Sequence, residues 1–524
     1  MISTLVELKA VNFQHLANLE SKCLDDVPLY FRKGAMDIDP KRGLAIHGPV
    51  DAGDDIQTIR VGIISDAKGI EDMTQFLDHI KNKPVKNVGE SPFTTLTFPG
   101  FETAFRSKLI LSQDFNEKIL NQEVENVIGN ENPNVRIRKA VELYGKKLRK
   151  ISDKVFKPDV IICHKIGKIE AYCRESRHYM LTKAEREKAE EIRKKVQIHK
   201  ILAPLDEDTK NFIEQVVHVD FRRLLKSESI SAGIPIQIFK QSTLEAINAV
   251  INIPTISIVR HRKEDPSTIA WNLAVALYYK ANHFPWRVGN LSLGSCYIGI
   301  SFYYDQTTYE KNMFASLAQV FTDTGEGLVV RGDNFQWDTQ KKGQPYLTKG
   351  GADELLRRAL NLYKNHHDDQ YPNRIVIHKS SKYSVEEVKG FNVASQEVPR
   401  RDYITVSTGH DVLFYRNGDN PVLRGTHMRL PDGSTIIFTG GYIPYLRCYQ
   451  GPRIPKPLEL FMQIGDTPSE EAATEMLALT RLDWNTARYN SFMPITLRFA
   501  EKVGKILGSI SQKGKIEHQY RFYM

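Results

Sequence analysis

The sequence predicts an α/β protein with two lobes, each built around a mainly parallel sheet. Short β-branched runs alternate with segments whose apolar positions recur about every 3.6 residues, which is typical of strands and helices in turn. The 524-residue chain is 41% hydrophobic and 26% charged, enough for two to four ordinary domains with packed cores. Alternation of this kind favours parallel sheets covered by helices.

The first lobe is predicted to extend over residues 58–288, after a leader and linker over 1–57. The Gly-, Pro- and Asp-rich stretch at 26–55 predicts strands joined by tight turns. Buried strands are predicted at 59–65 and 159–166, and helices near 69–82, 136–155, 182–200 and 268–284. The last helix is strongly apolar and ends before Pro285, since a residue before proline disfavours helical geometry.

The second lobe is predicted over residues 289–524. Its strands are predicted at 295–305, 325–333, 374–377, 403–409, 411–416 and 434–441, and its helices at 350–366, from Glu386 onward, and at 494–510. The strand at 374 is followed by a His-Lys-Ser-Ser tip and then by a helix. In α/β domains, the carboxyl end of such a strand is where ligands bind.

The charge and the cysteines indicate a cytoplasmic protein with an anionic partner. The formal charge is +9, from 72 basic and 63 acidic residues. Nucleic acid fits better than a membrane, because no apolar run is long enough to span one and no basic amphipathic helix stands out. No signal-peptide pattern opens the chain. The five cysteines form no CxxC pair, which favours a reducing compartment.

Four residues of the first lobe are candidates for binding a phosphate group. Arg222 and Lys226 are four apart, so both project from one helix face. Gln237 follows the turn after that helix, and Lys280 lies near the end of the apolar helix. These cations and the amide suit a terminal phosphate monoester, which carries about −1.5 to −2 charge. Taken alone, the spacing favours the alternative in which Arg222 and Lys226 are surface cations and Lys280 extends its ammonium group to solvent.

The sequence resembles the short prokaryotic Argonaute proteins, which consist of a MID and a PIWI domain. The resemblance rests on five segments in the family's order: "DIDPKRGLAIHGPVD", "IPIQIFKQSTL", "AWNLAVALYYKANHFPWRVG", "PNRIVIHKSSKYSVEE" and "LALTRLDWNTARYNSFMPITLRFAEKVGKIL". It implies a Rossmann-like MID lobe (58–288) followed by an RNase H-like PIWI lobe (289–524). It also implies that Arg222, Lys226, Gln237 and Lys280 bind the 5′-phosphate of a guide strand. The family often adds its C-terminal carboxylate, here that of Met524, through a divalent ion such as Mg²⁺.

The same resemblance implies that the PIWI lobe is catalytically inactive. Active members hold two metal ions with an Asp-Glu-Asp set plus a fourth residue. The first Asp would follow "YIGI" and the second "IVIHK", where this chain has Ser301 and Ser380. Asp305 lies about 13 Å further along the strand, too far to substitute. We therefore expect no target cleavage, although Glu326 could match the family's mobile Glu.

Two further expectations concern the surroundings of this second centre. Asp483 or Asn485 lies near the family's fourth catalytic position. Ser380, Lys379 and His378 are expected to donate hydrogen bonds to phosphate oxygens of a bound strand.

The resemblance also implies a partner, because inactive short members work beside a separate effector subunit that carries an APAZ region. That effector is a TIR or sirtuin-like NAD-degrading enzyme, or a nuclease, and target recognition activates it against plasmids or phage. We expect a heterodimer, a short guide (RNA favoured) and a single-stranded target (DNA favoured). The alternatives are a guide-directed endonuclease, against which both serines argue, and a passive nucleic-acid-binding protein. Short, uniform, 5′-phosphorylated copurifying strands would favour the sensor.

Overall fold

The computed structural model describes residues 20–87, 96–174, 219–252, 264–304, 313–322, 327–335, 345–408, 413–449, 451, 453–510 and 516–524. The predicted helix at 182–200, Asp305 and Glu326 lie outside these ranges. Within them, no helix has the length and apolar character needed to cross a membrane.

The N-terminal segment contributes to both lobes. It contains strands β1 (Ser21–Cys23), β2 (Leu29–Tyr30) and β3 (Met36–Asp37) and helix α1 (Pro40–His47). The side chain of Asp39 caps α1 by accepting from the backbone N–H groups of Lys41 and Arg42, and Pro40 takes the first helical position. The prediction of strands and tight turns throughout 26–55 is therefore wrong at α1, because Asp39-Pro40 is a helix start rather than a turn.

The first lobe is centred on a five-stranded sheet in which every pairing is parallel. Its strands are β4 (Gln57–Ser65), β5 (Ser107–Leu111), β6 (Glu117–Lys118), β7 (Val160–Lys165) and β8 (Ile236–Lys240). The order is β5-β4-β7-β8, and β6 pairs with β4 beyond β5. The helices are α2 (Ala67–Asn82), α3 (Phe101–Phe105), α4 (Asn121–Ile128), α5 (Pro133–Ser152), α6 (Gly167–Tyr172), α7 (Phe221–Ala232), α8 (Gln241–Asn252) and α9 (Pro266–Lys280). The strands predicted at 59–65 and 159–166 are confirmed.

The second lobe contains a ten-stranded mixed sheet. After β9 (Arg287–Val288), which pairs with β2, its strands include β10 (Ser295–Tyr304), β11 (Met313–Thr322), β12 (Gly327–Arg331), β13 (Asn334–Phe335), β14 (Arg374–Lys379), β15 (Arg400–Ser407), β16 (Thr426–Arg429), β17 (Thr435–Ile437) and β18 (Leu458–Ile464). The order is β1-β16-β17-β18-β15-β14-β10-β11-β12, and β13 pairs with β11. Only β10, β14 and β15 are mutually parallel, so the mainly parallel sheet predicted here is confined to its centre. Residues 413–416 form no strand, against the prediction for 411–416.

Among the described residues of this lobe there are four helices, and one hydrophobic core joins the lobe to the first. They are α10 (Lys349–Asn365), α11 (Val385–Ala394), α12 (Ser469–Leu479) and α13 (Ile495–Leu507). Helix α9 is buried on nearly every face, as its uniformly apolar sequence predicts. Its Trp271 and Tyr278 belong to the same hydrophobic cluster as Met476 of α12 and Phe499 of α13. The end of α9 is therefore held against the second lobe.

Candidate nucleic-acid interface

The four predicted phosphate-binding residues come from three elements that meet at the junction of the lobes. The ammonium group of Lys280, at the end of α9, donates to Gln237 Oε1 of β8 at 2.8 Å. Lys226 Nζ donates to the carbonyl of Ile236, one residue before Gln237. Lys226 and Lys280 are 1% and 0% exposed. Arg222 lies one turn before Lys226 on α7 and interacts electrostatically with both lysines.

This cluster brings three basic side chains together in a buried place, so charging all of them without an anion is unfavourable. Burial, together with the nearby Lys280 and Arg222, holds the pKa of Lys226 well below its usual value. Burial and Arg222 lower the pKa of Lys280 to about 7, although Asp483 partly opposes them. No carboxylate in the described ranges forms an ion pair with any of the three cations. A bound anion would restore the charged state of both lysines.

The structure adds residues to this pocket that the sequence interpretation missed. Asn485 Oδ1 lies 3.4 Å from Lys280 Nζ, and Asp483 pairs with Arg498 at 2.6 Å. Burial and the neighbouring Arg498 lower the pKa of Lys502 on α13. Arg498 and Lys502 are four residues apart on α13, as Arg222 and Lys226 are on α7. This spacing is the signal in the sequence that could have predicted them. Asp483 and Asn485 had been suggested for the catalytic centre, but their partners place them at this pocket.

The C-terminal residues close one side of the pocket. The turn Tyr520–Phe522 packs against both α7 and α9, and Arg521 donates to the carbonyl of Lys280 at 3.1 Å. The ring of Tyr520 stacks on Phe499 of α13 with 3.7 Å between centroids. The side chain of Met524 is buried in the same core. Its terminal carboxylate is an oxygen donor of the kind Mg²⁺ prefers, so it fits an ion shared with phosphate oxygens.

The two serines at the predicted catalytic positions lie on adjacent strands, Ser301 inside β10 and Ser380 directly after the end of β14. Ile300 of β10 is the register partner of Lys379 of β14, and Ser301 and Ser380 follow them at the same edge of the sheet. Ser380 is exposed. Ser301 Oγ is buried and has no hydrogen-bond partner in the part of the chain that the structure describes. The edge therefore presents hydroxyl groups where a metal site needs carboxylates.

His378 and Lys379 do not contribute to this edge, so the expectation that they bind phosphate is wrong. His378 is buried with its Nδ1 3.1 Å from Thr496 Oγ1, and burial lowers its pKa to about 3. Lys379 Nζ pairs with Glu387 Oε1 at 2.6 Å, and both side chains are buried. Glu387 also completes the capping box at the start of α11. Both residues are part of the internal packing because β14 is covered on both faces, and all six of its residues are buried.

A second basic region is a cavity of about 870 Å³ at the N-terminal end of α9. Its cations are Lys41, Arg453, Lys456 and Arg488, its acids are Asp39 and Glu264, and its rings are Tyr449, Tyr489 and Phe492. Gly440 and Gly441 form part of its wall. Its lining residue Thr268 lies on α9 twelve residues before Lys280, about 18 Å away along the helix. Cations interleaved with aromatic rings are typical of single-strand binding.

The basic helix predicted at 136–155 is less available for a ligand than its sequence indicates. Its cations pair with acids of the same lobe: Lys147 with Glu123, Arg149 with Glu228, and Lys150 with Glu117. These ion pairs offset much of its positive charge.

Comparison with known proteins identifies the architecture. No family model and no curated protein matches the sequence. Three solved structures superpose on 96% of the chain. Clostridium butyricum Argonaute, bound to a guide DNA and a 19-mer target DNA, gives a TM-score of 0.62 at 14% identity. Drosophila Piwi gives 0.55 at 13%, and Aquifex aeolicus Argonaute gives 0.53 at 14%.

The chain has an Argonaute-like fold. It spans about half of each of those proteins, 55% of the Clostridium chain and 56% of the other two. The α/β class with a Rossmann-like MID lobe and an RNase H-like PIWI lobe is thereby confirmed. The boundaries at 57/58 and 288/289 stay predictions.

Proposed function

We propose that this Argonaute-like chain binds the 5′-phosphate of a guide strand at Arg222, Lys226, Gln237 and Lys280. The observation that carries the proposal is the pair of fully buried lysines, which face each other and Arg222 without a carboxylate partner in the described ranges. A phosphate monoester brings about −1.5 to −2 charge and three acceptor oxygens. Each charge-assisted hydrogen bond to it contributes about 1.5–3 kcal/mol.

The structural neighbours support nucleic acid as the ligand. The Clostridium protein was solved with guide and target DNA, and an Aquifex structure carries an externally bound siRNA. Those ligands belong to those proteins, but the shared fold and the converged basic pocket favour the same class here. Following the resemblance in sequence, the guide is RNA and the target is single-stranded DNA. Base pairing provides specificity, while the protein recognises backbone and duplex shape.

The cavity at the start of α9 is suited to the guide backbone beyond its first nucleotide. It lies on the lobe junction, and its lining residue Thr268 is about 18 Å from Lys280 along α9, a distance that a few nucleotides of an extended strand can span. Its lysine and arginine side chains suit phosphates, and its rings suit bases or sugars. Contacts of this kind fix the register of the strand without reading its sequence.

A divalent ion, Mg²⁺, is proposed at the guide 5′-phosphate with the terminal carboxylate of Met524 as its protein ligand. The ion would offset phosphate charge beside a carboxylate that otherwise repels it. The packing of the turn at 520–522 on both cation-bearing helices supports this proposal.

The chain itself is proposed to be a sensor that performs no chemistry. Two-metal cleavage needs anionic oxygens at both strand ends, and Ser301 and Ser380 have none. The output then belongs to an APAZ-containing partner, an NAD-degrading enzyme in preference to a nuclease. Together they form a cytoplasmic heterodimer that acts against plasmids or phage.

The deciding experiment is to characterise the nucleic acid and protein that copurify with the chain. Short 5′-phosphorylated strands that bind more tightly than their 5′-hydroxyl counterparts support the proposal. Strands of mixed length without a 5′-phosphate preference support a passive binder instead, and a cut target supports an endonuclease.

A further inference from the structure

Asp26 lies at the centre of a buried ionic cluster, outside every site described above. Its carboxylate accepts from Arg424 Nε at 3.2 Å and from Arg481 Nη1 at 3.2 Å. The hydroxyl of Tyr489 donates to Asp26 Oδ2 at 2.8 Å. The arginine side chains are 2% and 0% exposed. Burial acts to raise the pKa of Asp26, but these three donors outweigh it and lower that pKa to about 2.

Each partner of Asp26 holds a different part of the wall of the cavity at the start of α9. Arg424 donates to the carbonyl of Thr439, the residue before Gly440 and Gly441. Arg481 donates to the carbonyl of Ile38, next to Asp39 of the N-terminal segment.

Tyr489 is the third connection, because it lines the cavity itself. Its ring lies under the guanidinium of Arg481 at 4.0 Å, and only its hydroxyl reaches Asp26. The ring is thus fixed by a cation on one side and by the carboxylate at its tip.

We propose that Asp26 is a positioning residue for this cavity: one carboxylate sets the relative placement of its N-terminal wall, its glycine wall and the ring of Tyr489. This inference rests on the proposed function, in which the cavity takes the guide backbone. It makes the N-terminal segment part of the binding site rather than a linker. Asp26 touches no ligand in this account and acts only through its three partners.

The test compares a 5′-phosphorylated oligonucleotide, which reaches both the phosphate pocket and the cavity, with the corresponding nucleoside 5′-monophosphate, which reaches only the pocket. Tyr489→Phe removes the hydroxyl tether and keeps the ring. Loss of one hydrogen bond predicts a threefold to tenfold weaker oligonucleotide complex, at roughly 1 kcal/mol per bond. Mononucleotide binding should not change. Tyr415→Phe, at a residue that is 76% exposed, is the matched control.

Asp26→Asn should weaken the oligonucleotide complex further, with Asp25→Asn at the exposed neighbouring residue as its control. The double variant Asp26→Asn/Tyr489→Phe should be weaker than Asp26→Asn by less than Tyr489→Phe is weaker than the wild type, since an amide oxygen accepts from the Tyr489 hydroxyl less strongly than a carboxylate does. If Asp26→Asn does not fold, the comparison of oligonucleotide and mononucleotide binding by Tyr489→Phe still tests the inference.

Two results for Tyr489→Phe would overturn the inference: an equal loss of affinity for both ligands, or an unchanged affinity for the oligonucleotide. Neither result would contradict the phosphate pocket. A wild-type protein that binds neither ligand would instead refute the proposed function.

Discussion

Lys280 Nζ lies 2.8 Å from Gln237 Oε1, so two residues 43 positions apart in the sequence meet at the junction of the lobes. The amide oxygen accepts from the ammonium group, which leaves the amide nitrogen of Gln237 free to donate elsewhere; in this structure it reaches the carbonyl of Ile238. A phosphate that replaces this neutral acceptor would meet Lys280, Lys226 and Arg222 together. The contact therefore defines where the anion should bind.

Replacing Lys226 with Ala should weaken 5′-phosphorylated guides about tenfold or more, because one charge-assisted bond of more than about 1.4 kcal/mol is lost. The affinity for guides with a 5′-hydroxyl should fall much less. Lys240→Ala, at an exposed lysine that ends the same strand β8, is the matched control and should leave both affinities unchanged. Equilibrium binding of both guides measures the difference, and an equal loss for the two would contradict the pocket assignment.

Guide affinity should fall as pH rises above about 7, the pKa of Lys280 in the unliganded protein. Only the charged lysine binds phosphate well, and the phosphate is already mostly dianionic above about pH 6. The loss should approach tenfold per pH unit between pH 7 and 9, and it should be absent for 5′-hydroxyl guides. Lys280→Arg keeps its charge throughout this range and should make the profile less steep, while the lowered pKa of Lys226 accounts for the dependence that remains.

The lowered pKa of Lys280 also predicts how the stability of the unliganded protein changes with pH. Because the folded pKa of Lys280 lies below its ordinary 10.5, the folded chain binds fewer protons than the unfolded chain between about pH 7 and 10.5. The free energy of unfolding of the unliganded protein should therefore rise with pH in that window, relative to Lys280→Arg. Paired thermal melts would show it, and parallel curves for the two proteins would argue against a buried, uncharged Lys280.

Removing divalent ions with EDTA should weaken 5′-phosphorylated guides several-fold and leave 5′-hydroxyl guides unaffected. The reason is that the terminal carboxylate of Met524 then faces the phosphate without the ion between them. Appending one glycine after Met524 displaces the carboxylate by about 3.8 Å and should have the same effect. Chelation should then change nothing more. An EDTA effect that survives the added glycine would assign the ion to other ligands.

The fold class and part of the grouping of the proposed phosphate-binding residues could be predicted from the sequence because both depend on local patterns. The strands β4, β7 and β14 are continuous β-branched runs, and Arg222 and Lys226 share a helix face at a fixed spacing. The resemblance to Argonautes then placed Gln237 and Lys280 beside them, and the structure brings all four together.

The predictions that failed depend on contacts between distant segments. Whether Lys379 faces solvent or Glu387 is decided by which side of β14 packs against α11, and composition does not report that. The sequence predicts that Asn485 lies near the catalytic centre, whereas its side chain lies beside Lys280. Only the fold brings the loop after α12 to that residue. The role of Asp26 was equally hidden, since its partners lie 398 to 463 residues away.

The purified chain, loaded with guide and given Mg²⁺ or Mn²⁺, should not cut a complementary target. Ser301 in β10 and Ser380 after β14 offer no negative charge to hold two divalent ions. The measurement is gel analysis of an end-labelled target over extended incubation. Cleavage at one defined bond that is abolished by Glu326→Ala would show that a catalytic centre exists after all.

Output should therefore depend on a partner whose activity changes when guide and target pair on this chain. A sensor without a catalytic centre can act only through a coupled equilibrium, so the duplex must favour one arrangement of the complex over another. A guide–target duplex is wider and stiffer than a single strand, and the phosphate pocket and the second cavity both lie where the lobes meet. We expect a stable heterodimer with an APAZ-containing subunit that consumes NAD only when guide and complementary target are both present.

NAD loss should be measured with guide alone, with a matched target and with a scrambled target. The Lys226→Ala protein in the same complex should need more guide to reach the same rate, because its defect lies in loading and not in the partner. Activity that is constant across these conditions would refute the sensor, and a chain that purifies without any partner would favour the passive binder.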